Sequence, residues 1–66
     1  MQSLVGKEYR LVLGVGRSVN PEAEHLGKVC TVEDYHEVTR TYTVRVHDSV
    51  YGTGYDVVDK ECLECL

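Results

Sequence analysis

Apolar side chains recur at every second position in short bursts, separated by breaks rich in glycine and charge. Over residues 9–15, Tyr9, Leu11, Leu13 and Val15 share one face, with Arg10, Val12 and Gly14 on the other. Period two with aromatic and β-branched content predicts a strand, and Gly14 and Gly16 permit a bend after it. Residues 16–26 lack such a period and form one long connection. Within it Asn20-Pro21-Glu22 resembles a helix start, and one turn of helix is expected there. Gly27 then precedes Val29, Cys30, Thr31 and Val32, which predicts a second strand over 28–34. The third strand, 41–47, alternates most strictly, with Tyr42, Val44 and Val46 on the buried side. Gly52-Thr53-Gly54 marks a tight turn, 55–58 a fourth strand and Asp59-Lys60-Glu61 a single 3₁₀ turn. Residues 62–66 complete a fifth strand. The expected core comprises Leu11, Leu13, Val29, Val32, Tyr42, Val44, Val46, Val57 and Leu63.

Five short strands without a substantial helix predict an all-β barrel. The 66 residues make a single domain, 1–66, with no linker, repeat or low-complexity tract. So short a chain buries a small share of its surface, so each core position carries weight. No apolar run approaches a membrane span, and the first residues lack the pattern of a signal peptide. A soluble, cytoplasmic protein is expected.

Charge changes the picture of partners. Residues 1–47 hold six acids against six bases, and residues 48–66 hold five acids against Lys60 alone, so the net −4 lies wholly in the last third. An acidic end does not favour a phosphate backbone, whose affinity comes largely from cations displacing counterions. It suits solubility or a basic protein partner.

The stretch from Gly27 to Val46, with Val29, Val32, Val44 and Val46, resembles the KOW-like branch of the SH3-like barrel superfamily. The closing pattern, Val57-Val58, a polar turn, then Glu61-Cys62-Leu63-Glu64, is similar to that of small stand-alone bacterial or phage SH3-like domains. The resemblance implies a small five-stranded SH3-like barrel with one long loop and at most single-turn helices. It leaves function open, because that fold serves many roles. The chain lacks the Ala-Leu-Tyr-Asp-Tyr stretch and the tryptophan of polyproline-binding members, so PxxP recognition is not expected. It also lacks the Lys and Arg excess of KOW-type RNA binders.

Candidate chemistry is sparse, and no enzyme activity or cofactor is expected. Cys62-Leu63-Glu64-Cys65 offers a zinc half-site, which Cys30 with His25, His36 or His47 would complete. On a strand, however, side chains at i and i+3 point to opposite faces, so the thiols read as small apolar fillers. Three cysteines in total favour a reducing compartment over a disulfide scaffold. His47-Asp48-Ser49 contains triad residue types, but neighbours on a strand do not converge. Gly14-Val15-Gly16 starts like a dinucleotide fingerprint and lacks its third glycine and helix.

The expected function is therefore a non-catalytic binding module with an unidentified protein partner. Its contact residues would be Arg17, Asn20 and His25 of the long loop, with Tyr35, Tyr51 and Tyr55 near turns. The alternative is a KOW-like nucleic-acid or ribosome-associated protein using Lys7, Arg10, Arg17 and Lys28. A second alternative is a zinc-stabilised module using Cys62 and Cys65. A monomer, or a weak homodimer through an open sheet edge, is expected.

Overall fold

A computed structural model of the protein describes residues 4–16, 19–47 and 54–66. Five antiparallel strands form one curled sheet, a half-barrel: β1 (Glu8–Leu11), β2 (Val29–His36), β3 (Thr41–Val46), β4 (Tyr55–Val58) and β5 (Leu63–Glu64). Their order across the sheet is β4-β3-β2-β1-β5. Two 3₁₀ turns, Ala23–His25 and Lys60–Cys62, are the helical elements among the described residues. No helix among the described residues is long and apolar enough to cross a membrane.

The concave face buries Leu11, Cys30, Val32, Val44, Val46, Val58 and Cys62, with Leu4, Tyr9, Tyr42 and Leu63 packed around them. Register explains this set. Cys30 lies opposite Tyr9 and Val46, Val32 opposite Val44, and Val58 opposite Tyr42, so each pair shares the inner side.

A β-bulge partway along the second strand changes which of its residues face the inner side. Val32 pairs with Val44 and Asp34 with Thr43, which leaves Glu33 as the extra residue. The extra residue inverts the alternation. Val32 before it and Tyr35 after it then share the inner side, although their separation is odd. Without the bulge, Asp34 and His36 would face the core.

Several sequence expectations change. The first strand ends at Leu11, and Leu13 and Val15 are 64% and 86% exposed, so neither belongs to the core. After Leu11 the chain leaves the β1–β2 ladder: Gly27 N–H donates to Leu11 C=O and closes that pairing at 2.7 Å. Val57 is 42% exposed and Val58 is buried, because Val57 stands opposite Thr43 on the outer face. Val29, Tyr42 and Leu63 are half-buried. The helical turn is capped by Glu22 rather than Asn20, and the last strand is confined to Leu63–Glu64. Gly52 and Thr53 lie outside the described residues.

Gly27 has a φ of +82°, the left-handed region that favours glycine. A Cβ there would meet nothing within 4 Å, so the requirement is conformational rather than steric.

Candidate functional site

The segment between β1 and β2 is a strap rather than a free loop. Its anchors are two inward or half-buried acids of the last third. Asp56 stands opposite Val44 and therefore points to the concave side. Its Oδ2 accepts the Glu22 N–H at 2.8 Å and lies 2.9 Å from His25 Nδ1. The two side chains are only 9% (His25) and 11% (Asp56) exposed. Asp59 makes the second anchor: Oδ2 accepts the Val19 N–H at 2.6 Å, and its own N–H donates to Val19 C=O at 3.0 Å. The Cys62 thiol donates to the same carbonyl at 3.3 Å. Asn20 Oδ1 accepts the Gly14 N–H at 2.8 Å, which closes the strap on itself. Among the described residues no buried side-chain polar atom lacks a partner.

This arrangement places the expected contact residues in three groups. His25 is buried with its Nδ1 beside Asp56, and Asn20 is exposed with its Oδ1 on the Gly14 amide. Tyr35 and Tyr55 are exposed, at 42% and 50%. Arg17 and Tyr51 lie outside the described residues, as do Asp48 and Ser49.

An open groove of about 460 Å³ runs between the β2–β3 turn and the second 3₁₀ turn. Tyr35, Thr39, Arg40 and Tyr42 line one side, and Asp59, Lys60 and Glu61 the other. The Tyr35 and Tyr42 rings lie 4.7 Å apart between centroids, tilted by 41°. Burial, then repulsion from Tyr35 and Tyr9, raises the Tyr42 pKa, so its hydroxyl is a neutral donor. Arg40 adopts a left-handed backbone (φ 57°), uncommon for a side chain of its size. Sequence reading picked out Tyr35 here but missed Arg40, Tyr42 and 59–61 as a surface. Arg40 ends the break Glu37-Val38-Thr39-Arg40 between two alternating strands, which was the available signal.

Of the four candidate nucleic-acid residues, Lys7 and Arg10 are exposed, Lys28 is half-buried and Arg17 is not described. Arg10 stands opposite Glu64, with 3.9 Å between Nη1 and Oε1.

The thiols differ sharply. Cys62 and Cys30 are fully buried and Cys65 is exposed, and all three are free. No group of three or more His, Cys, Asp or Glu is gathered for a metal among the described residues. Burial pushes the Cys30 thiol up to about 11 and also raises that of Cys62. The thiolate is the reactive form. Brief iodoacetamide treatment at neutral pH is therefore expected to modify Cys65 alone, and all three cysteines after denaturation. Intact and peptide mass spectrometry checks this. Alkali supplies the matching test. The unfolded Cys30 loses its proton near 9.0, whereas the native thiol holds it to about 11, so stability falls as pH rises through that window. Cys62 and Tyr42 act in the same direction.

No known protein family, curated protein or solved structure matches this chain.

Proposed function

We propose that the chain is a non-catalytic module of SH3-like type that binds a protein partner through the Tyr35–Tyr42 groove. The strand order β4-β3-β2-β1-β5, with a 3₁₀ turn leading into the last strand, supports the SH3-like reading. The observation that carries the binding reading is the groove itself. It combines an accessible aromatic pair with rim charges of both signs: Arg40 and Lys60 against Asp59 and Glu61. Large rigid rings give contact area at low entropic cost, and mixed rim charge sets orientation. The strained Arg40 backbone adds weight, because such strain collects at functional positions.

The test is affinity capture from lysate of the native source, with nuclease present, comparing the unmodified protein with Tyr35→Ala. A defined protein retained by the first and lost by the second, with melting unchanged, supports the reading. Equal retention by both would overturn this choice of surface. Arg40→Gly separates stability from binding. Left-handed backbone costs a non-glycine residue about 1–2 kcal/mol, and glycine's extra chain entropy returns about half of that. The variant is expected to gain about 0.5 kcal/mol in a thermal melt, read by circular dichroism, while binding the captured partner more weakly.

A further inference from the structure

The convex face of the sheet carries a second cluster, remote from the concave core. Register aligns Glu8 of β1, Thr31 of β2 and Arg45 of β3 in one row across three strands. His47 follows β3 and is held there by its N–H, which donates to Val29 C=O at 3.0 Å. Its ring bridges the row: Nε2 lies 2.5 Å from Thr31 Oγ1, and Nδ1 lies 3.4 Å from Glu8 Oε2.

The tautomer that serves Thr31 is the one with its proton on Nδ1, the nitrogen nearer Glu8. An Nδ1–H directed at Glu8 leaves the Nε2 lone pair free to accept from the Thr31 hydroxyl. A hydroxyl bonded to a histidine whose far nitrogen is oriented by an acid is the arrangement that activates a nucleophile. Arg45 brings a cation to the same row, with its Nε held 3.1 Å from Glu33 Oε1. The convex face also contains an internal comparison. His36 Nε2 makes the same contact with Thr43 Oγ1, but no carboxylate is paired with His36 among the described residues.

We propose that Thr31 is a surface nucleophile, activated by His47 and positioned through Glu8, that accepts an acyl group from small activated acyl donors. Thr31 Oγ1 forms a bond to the carbonyl carbon and its proton passes to His47 Nε2. The bond to the leaving oxygen breaks, and that oxygen departs with the electron pair. Thr31 is left as an ester, and nothing is oxidised or reduced. The open face suits small donors.

The probe is p-nitrophenyl acetate. Release of p-nitrophenolate is followed by absorbance, and the acetylated residue is located by peptide mass spectrometry. The expected result is one acetyl group on Thr31 rather than Thr43. Thr31→Val should remove it without loss of fold, since valine is at home in strands. His47→Gln should slow the reaction by at least about 100-fold, the usual contribution of a general base. Glu8 acts through His47, so Glu8→Gln should slow acetylation and Glu8→Asp, which keeps the carboxylate, should restore part of the rate, which a purely structural role would not do. Acetyl groups confined to amines in the unmodified protein, or p-nitrophenolate release unchanged in Thr31→Val, would overturn the proposal.

Discussion

Replacing Asp56 with alanine should destabilise the protein by about 3 kcal/mol, the usual cost of breaking a buried pair by removing one partner. The carboxylate is nearly buried and serves three donors: Glu22 N–H, His25 Nδ1–H and, through Oδ1, Val57 N–H at 2.8 Å. Alanine leaves the Glu22 amide and the buried His25 ring without their acceptor, and each orphaned group costs free energy. A core of this size supplies only about 3–5 kcal/mol, so the variant should be largely unfolded at physiological temperature. Denaturant titration followed by circular dichroism measures the loss. Asp56→Asn retains one acceptor oxygen and should fall between the two. His25→Gln combined with Asp56→Ala should cost less than the sum of the single changes, because the two residues share one interaction.

Leu11→Ala should cost about 3 kcal/mol, whereas Leu13→Ala should change stability by less than about 0.5 kcal/mol. Leu11 is fully buried among the residues of the concave face, so truncation leaves a cavity. Leu13 is 64% exposed, beyond the end of the ladder. The same alternating pattern contains both residues, so thermal melts of the pair separate true strand from apparent strand. Comparable losses at both positions would mean that β1 continues past Leu11.

That pair also shows how far the sequence can be read. The central hairpin was legible because Val32, Val44 and Val46 keep period two with one buried face. The 3₁₀ turn before β5 was legible from its polar run between two apolar segments. The end of β1 was not, because alternation persists after the partner strand has gone: Gly27 closes the pairing with Leu11, and nothing at residues 12–15 records it. In β4 the apolar choice of Val57 misled. Period two from Tyr55 selects Tyr55 and Val57, while the sheet turns Asp56 and Val58 inward. An acid reads as a surface residue until a buried histidine from another part of the chain is seen beside it. Glu33 poses the same difficulty, since a bulge is defined by a partner strand and leaves little trace in its own residues.

The candidate site was less legible than the fold for the same reason. Long connections are often binding loops, which made Asn20 and His25 attractive. In the fold, Asn20 Oδ1 accepts from the Gly14 amide and His25 Nδ1 meets Asp56 of β4, so both residues also hold the strap in place. The groove unites Tyr35 and Arg40 with residues about twenty positions away, at Asp59, Lys60 and Glu61. Only the curl of the sheet brings them together. Strap and groove are linked through Asp59, which ties down Val19 and also lines the groove. Loosening the strap should therefore disturb the groove proposed to bind a partner.

The strap is the central structural claim, and amide hydrogen exchange tests it most directly. Val19, Glu22 and Gly27 donate their N–H groups to Asp59, Asp56 and Leu11. All three amides should exchange far more slowly than in an unstructured peptide of the same sequence, and Glu22 should lose that protection in Asp56→Asn more than Gly27 does. Exchange of all three at unstructured-peptide rates, in a protein whose β2 and β3 amides remain protected, would contradict the account.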